Sequence, residues 1–526
     1  MKVLACDGIH DDGLALFRDA GWSVIVSPPI KDPDVLRVAL AGVDAVLVRS
    51  ATSIDAASLA DAGHLRVIGR AGAGVDTIDV DAATARGIAV MNAPDGNTLA
   101  AAEHALSLLF ALARHVPRAD AGMKAGEWPK AGLTGFELEG KKLGVIGLGR
   151  IGSTVARKAG ALGMEVAAYD PFLPPAAAGH GSVPLKPFED LLAWADVITL
   201  HVPRTRETTH LIDAAAMASM KRGACLVNAA RGGLVDEAAL LDALADGHLA
   251  GAALDTFATE PLPADSPLRA QANLVLTPHL GASTGEAQQA VSTILARQVL
   301  DYFATGTVAG CVNLPPLSAE AAREVGPWMP LMSALGKLCA RLVPAPVRLH
   351  VTYAGRSEAG RDAALDPRPL TRLLVAALLG SASSRVTPVN ALQEAVARGL
   401  TVAETVGGNG DGFDRLLKLQ VEDEHGHTRT IEATLHRGPR VVRLDGVEIE
   451  FDPQAHLLLM RNEDRPGIIG LVGSHLGAAG VNIVNFSLGA KGDGEALAAI
   501  TVDRSVPDAQ LVALRGVPGV LSLETL

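Results

Sequence analysis

At 526 residues the chain is too long for one hydrophobic core, which points to three or four domains. Hydrophobic residues at 48% against 20% charged exclude general disorder, and 3% aromatics leave the core to Ala, Val, Leu and Ile. A net charge of −12 argues against nucleic acid or an anionic membrane as main partner, although a few arginines can reverse the field inside a cleft.

The opening "MKVLACDGIHDDGLALF" reads as a strand and turns acidic where a secretory signal would be apolar. The runs "SVIVS", "AVLVRS", "RVIGRAG" and "IAVMNA" follow, separated by Ala/Leu-rich helical stretches. That alternation predicts a parallel, doubly wound sheet. A long helical pattern from about Thr98 to Gly126 then crosses to a second unit, whose strands are "KKLGVIGLG", "EVAAYD", "DVITLHVP", "CLVNAARG", "GAALDTF" and "NLVLTPH". A helix after Ser283 is placed to carry the chain back to the first unit. This divides the catalytic half into a discontinuous unit, 1–96 with 285–314, and a second unit, 97–284.

Pro315 and Pro316 stop any helix and mark a boundary. Residues 317–450 mix helices and strands in an α+β pattern without a chemical motif. From 455 to 526 the order is β-α-β-β-α-β, a ferredoxin-like split unit. The most apolar helical stretch, 370–382, is too short to span a bilayer, so a soluble protein is expected. Cys6, Cys225, Cys311 and Cys339 are scattered without metal-ligand spacing. We therefore expect no metal site and a reducing, cytoplasmic setting.

The chemistry begins at "LGVIGLGRIGSTVARKAGALGMEVAAYD". Gly147, Gly149 and Gly152 stand between a strand and a helix, and Asp170 closes the next strand about 20 residues on. The glycines permit a tight turn, close approach of a pyrophosphate and close helix–strand packing, and the helix N-terminus offers free N–H groups. A carboxylate at 170 accepts from ribose hydroxyls and repels a 2′-phosphate, so NAD is expected over NADP. Three later strand ends carry Arg231, Glu260 and His279. Hydride removal from an alcohol needs a base for the hydroxyl proton and a cation for a neighbouring carboxylate. His279 suits the first role, Glu260 can orient it, and the forked guanidinium of Arg231 suits the second.

Together "GLGRIG…YD", "NAARGGLVDEAAL", "GAALDTFATEPL" and "TPHLGAST" resemble the D-isomer-specific 2-hydroxyacid dehydrogenase family. Within it, "VRSAT", "RAGAGVDTIDVDAATARGIAVMNAPDGNT" and "NEDRPGIIG" resemble the long-form branch that acts on D-3-phosphoglycerate. The resemblance implies two Rossmann-like domains, an intervening domain and a terminal ACT domain. It also implies NAD-dependent oxidation of D-3-phosphoglycerate to 3-phosphohydroxypyruvate in serine biosynthesis, by a homotetramer. It places Arg49, Arg70, Ala73, Gly74 and Asn97 at the substrate, and Lys130 at a neighbouring subunit's site. It adds Arg150, Ile151, Ala229, Asp255, His279 and Gly281 to the cofactor side, and makes Asn462, Asp464 and Asn482 a serine effector site. The chain departs from the family pattern at Ser53, Ala73 and Thr77. A glyoxylate or hydroxypyruvate reductase and an NAD-sensing, corepressor-like binding protein are the competing readings. The C-terminal half argues against the first and its folded ending against the second.

Overall fold

The structure is a computed structural model describing residues 1–173, 183–305, 310–315, 317, 319–355, 367–380, 385–408, 410–490, 492 and 494–525. Lys2–Ala5, Ser23–Val26, Ala45–Val48, Val67–Arg70 and Ala89–Asn92 form a parallel five-stranded sheet in the order 2-1-3-4-5. Both faces are apolar, as helix-covered parallel strands require. Val3, Leu47, Val67 and Met91 point to one face, while Leu4, Val46, Ile68 and Val90 point to the other. The helix Gly285–Thr305 covers the first face, where Val291, Leu295 and Val299 join the cluster of Leu14 and Phe17. It runs so close to the helix Asp11–Asp19 that a Cβ on Gly13 would lie 2.7 Å from the Ser292 carbonyl oxygen.

The second sheet is also parallel. Its order is Leu274–Leu276, Leu249–Leu254, Ala224–Asn228, Val197–Leu200, Lys142–Ile146 and Glu165–Tyr169. Strand progression reverses between Lys142–Ile146 and Val197–Leu200, and ligands of such sheets bind beyond the strand C-termini at that point. Helices Thr98–Ala113 and Arg150–Ala161 cover one face, and Phe188–Trp194, Ala214–Ser219 and Glu237–Ala245 cover the other.

The long helix expected from Thr98 to Gly126 is instead two. Thr98–Ala113 stops, His115 takes a left-handed φ of 53°, and Val116–Lys124 restarts after a 64° bend. Pro117 lies in the first turn of the second piece, where its missing N–H is harmless but could not continue the earlier ladder. No single helix among the described residues is long and apolar enough to cross a membrane.

The third sheet is mixed, ordered Thr401–Val406, Pro346–Gly355, Arg415–Asp423, Thr428–Leu435, Pro439–Leu444 and Val447–Phe451, with only its first pair parallel. It meets the first unit where the Thr387 hydroxyl donates to the Gly87 carbonyl at 2.7 Å and Val389 enters the first sheet's core. The fourth sheet is antiparallel, ordered Ile483–Ala490, Glu495–Val502, His456–Glu463 and Val520–Thr525, with helices Ile468–Ala478 and Asp508–Arg515. This is the β-α-β-β-α-β order expected. Its two central strands are apolar on both sides for a reason. Leu458, Met460, Ala498 and Ile500 pack on its own helices, whereas Leu457, Leu459, Leu497 and Ala499 enter the core of the third sheet. The two C-terminal units share one core.

Candidate active site

Gly147 leaves the strand Lys142–Ile146 with φ 90°, and a Cβ there would lie 2.6 Å from the His201 carbonyl oxygen. A Cβ on Gly152 would overlap the Gly147 carbonyl, so the helix approaches the turn this closely only because residue 152 is glycine. Gly149 starts the helix Arg150–Ala161 without a side-chain cap, leaving its first N–H groups to an anion. Asp170 is tied to this turn, accepting from the Leu148 amide at 3.0 Å and from the Phe172 amide at 3.0 Å. The cradle and its carboxylate suit the diphosphate and ribose of a dinucleotide. His201, beside it, is half-buried and lines the same cleft. Burial lowers its pKa to about 4, so it remains neutral.

The turn carrying His279 is built by Asp255. This fully buried carboxylate accepts from the Leu280 amide at 2.7 Å, the Gly281 amide at 2.9 Å and the Thr277 hydroxyl at 2.6 Å, and it lies 3.0 Å from His104 Nε2. Burial opposes its charge, but the bonds from His104, Thr277 and Leu280 outweigh burial and hold the carboxyl below its usual range. These contacts offset the left-handed φ of 55° at His279, a conformation costing a non-glycine residue on the order of 1–3 kcal/mol.

His279 Nδ1 lies 2.7 Å from Glu260 Oε2, and Glu260 Oε1 accepts from the Phe257 amide at 3.0 Å. Burial pushes the Glu260 carboxyl up, but the bonds from His279 and Phe257 outweigh it and bring it below its usual range. An ionised Glu260 can only accept. Nδ1 therefore carries the hydrogen, and Nε2 presents a lone pair.

Three arginines converge on the same cleft, about 420 Å³, which is also lined by Asn97, Gly149 and His279. Arg49 follows the strand Ala45–Val48 in a turn fixed by Asp7, whose carboxylate accepts from the Arg49 amide at 2.9 Å and the Thr52 amide at 3.0 Å. Arg70 ends the strand Val67–Arg70. Burial first, then the charges of Arg231 and Arg49, lower its pKa to about 10 against the opposing effect of Asp76 and Asp7. Arg231 is set by Asn228, whose side chain bonds the Arg231 carbonyl at 2.8 Å and the Ala230 amide at 3.1 Å. A Cβ at Gly72 would overlap the guanidinium of Arg70, and one at Gly74 that of Arg231, so both side chains lie close over glycine backbone.

Ala73, Gly74, Arg150, Ile151, Ala229 and Gly281 line this cleft as well. Asn97 is 8% exposed, and its Oδ1 has no partner, so a buried acceptor faces the cleft. Lys130 does not line it; this residue is exposed in the segment after Val116–Lys124. In the terminal unit Asn462 is 3% exposed with an unpartnered Oδ1, while Asp464 and Asn482 are exposed. A larger cavity of about 710 Å³ lies between the helix Met329–Leu342 and the terminal unit, but none of the expected site residues line it. Among the described residues no group of three His, Cys, Asp or Glu could hold a metal ion.

Sequence reasoning passed over Asp76, Asp95, His104, Thr277 and His201. Asp76 pairs with Arg231 at 3.0 Å and Asp95 with Arg150 at 2.6 Å. No local spacing signals these pairs, because each joins residues far apart in the chain.

Residues 106–281 match the family profile described as D-isomer specific 2-hydroxyacid dehydrogenase, NAD binding domain, and residues 324–445 match the D-3-phosphoglycerate dehydrogenase intervening domain. A D-3-phosphoglycerate dehydrogenase of Bacillus subtilis is 37% identical, covering 100% of this chain and 99% of its own length. One from Mycobacterium bovis is 42% identical over 100% of this chain and 98% of its own length. A crystal structure from Thermus thermophilus, 36% identical with a TM-score of 0.55, covers 59% of this chain and 100% of its own. With full-length relatives and both domain profiles in agreement, the chain belongs to the D-3-phosphoglycerate dehydrogenase family of D-isomer-specific 2-hydroxyacid dehydrogenases.

Proposed function

We propose that the protein oxidises D-3-phosphoglycerate to 3-phosphohydroxypyruvate, the first step of phosphorylated serine synthesis. NAD, held by Gly147, Gly149, Gly152 and Asp170, supplies the hydride acceptor. Nε2 of His279 takes the hydroxyl proton, and the resulting imidazolium is stabilised by Glu260 at 2.7 Å. Arg231 holds the substrate carboxylate and polarises the developing carbonyl. Arg49 and Arg70 bind the phosphate, and the Asn97 acceptor takes a substrate or cofactor donor.

The surplus of arginines carries this reading. A plain 2-hydroxyacid has one carboxylate for one guanidinium, yet Arg49, Arg70 and Arg231 all line one cleft. Positive charge gathered in this way favours a second anionic group on the ligand. NADH absorbance after mixing the enzyme with NAD⁺ and a panel of D-2-hydroxyacids tests the proposal. Arg70→Ala should raise KM for the phosphorylated substrate by roughly 10- to 100-fold, since hydrogen bonds to charged groups are worth about 1.5–3 kcal/mol. It should change turnover of D-lactate little. Equal loss on both substrates would remove Arg70 from the phosphate site.

Asn462, Asp464 and Asn482 are the residues we assign to a serine effector, the carboxylate of Asp464 meeting its ammonium group. Asp464→Ala should abolish inhibition by serine and leave uninhibited turnover unchanged; inhibition that persists would place the amino-acid site elsewhere. We further propose a homotetramer, with Lys130 directed at a neighbouring subunit, and a cytoplasmic setting. The four unpaired cysteines fit a reducing compartment.

A further inference from the structure

Arg231 already has a carboxylate. Its Nε lies 3.0 Å from Asp76 Oδ2, and the two side chains come from different α/β units. The pair spans Gly74, where a Cβ would overlap Arg231 Nη2 and lie 2.6 Å from Asp76 Oδ2. Backbone room has thus been kept for both partners. The Asp76 side chain is 43% exposed and that of Arg231 27%, so this is no sealed structural ion pair. Asp76 also lines the cleft in which Arg49, Arg70 and Arg231 converge, and it offsets the repulsion those guanidiniums exert on Arg70.

A ligand carboxylate at Arg231 would bring the same charge to the same guanidinium. Both cannot use that edge of the fork at once. We propose that Asp76 is an internal stand-in for the substrate carboxylate, pairing with Arg231 in the empty site and exchanged for the substrate's own carboxylate on binding. This rests on the carboxylate role given to Arg231 above. Asp76 is a positioning residue. It keeps the guanidinium aimed into the cleft between turnovers, and its exposure lets it turn to water when displaced. The same residue competes with every carboxylate that enters, at the cost of some affinity.

The test uses the full-length chain and oxalate, a small dicarboxylate without a phosphate, so that binding at Arg231 is read apart from Arg49 and Arg70. NADH binding, followed by fluorescence, first establishes that each variant is folded. Calorimetric titration of the NADH complex with oxalate then gives its affinity without any turnover. Asp76→Asn should bind oxalate tighter by roughly two- to fivefold, the range expected for releasing a partly exposed ion pair. KM for D-3-phosphoglycerate should fall by a similar factor, with a smaller change in kcat. Asp76→Glu, which keeps the charge, should bind oxalate as the parent does.

Unchanged or weaker oxalate binding in Asp76→Asn would overturn the proposal, as would equal tightening in Asp76→Glu. If Asp76→Asn does not fold, Asp76→Ser is read in its place; failure of both beside a folded Asp76→Glu assigns the residue to structure and also overturns it. A parent protein that binds oxalate but turns over no phosphoglycerate would defeat the proposed function and leave the stand-in standing.

Discussion

The two α/β units share an architecture and differ in what their strand ends carry. The first brings cations to the cleft, with Arg49 following one strand and Arg70 ending the next. The second brings a glycine turn, the Asp170 carboxylate tied to it, and the Glu260–His279 pair. Parallel winding directs the working ends of both sheets to the same side of their helices, which fixes where chemistry can occur. It does not fix which chemistry. That is decided by charge at a handful of strand ends, so one unit can hold a polyanion while its neighbour holds the cofactor.

The comparison is tested most severely at the base. His279→Ala should lower kcat by about 10²- to 10⁴-fold, the usual contribution of general acid–base help, while NADH affinity stays near that of the parent. Equal loss of both in steady-state and fluorescence measurements would make the residue structural and blur the division between the units.

A smaller loss is expected at Arg231, which the second unit contributes to the cleft. Arg231→Lys keeps the charge but loses the planar fork, and kcat/KM should drop by roughly 10- to 100-fold. Retention of full activity would mean that a point charge suffices there.

The gentlest test concerns Asp255. Its carboxyl is held below the usual range in the folded chain, so its contribution to stability is complete above the ordinary carboxylate pKa of about 4 and is lost as pH falls through the depressed folded value. Asp255→Asn should cost about 1–3 kcal/mol at neutral pH, by thermal or denaturant unfolding. The gap to the parent should close on acidification. A gap independent of pH would show that shape, and not charge, sets the His279 turn.

Much of the site could be read from sequence, because its marks are local. Glycines spaced for a turn, an acid closing the next strand, and titratable residues where β-runs end all lie within short windows. The residues that hold those groups in place could not be read that way. His104 reaches Asp255, and Asp76 reaches Arg231, across long stretches of chain, and only the packed sheets bring them together. The break at His115 was hidden for a different reason: helix-forming residues stand on both sides of Pro117 even though the hydrogen-bond ladder does not cross it. The shared core of the C-terminal half had left a trace in "HLLLM", whose unbroken apolarity is what a strand buried on both faces needs. Alternation would have meant one wet face.

That seam between the third and fourth sheets has a mechanical consequence. Leu457, Leu459, Leu497 and Ala499 join the two C-terminal units in one core, and Thr387 and Val389 pack against the unit bearing Arg49 and Arg70. If the terminal unit takes an effector, as proposed, a packed route leads from it to the unit bearing Arg49 and Arg70, and binding there is expected to alter the affinity for phosphoglycerate.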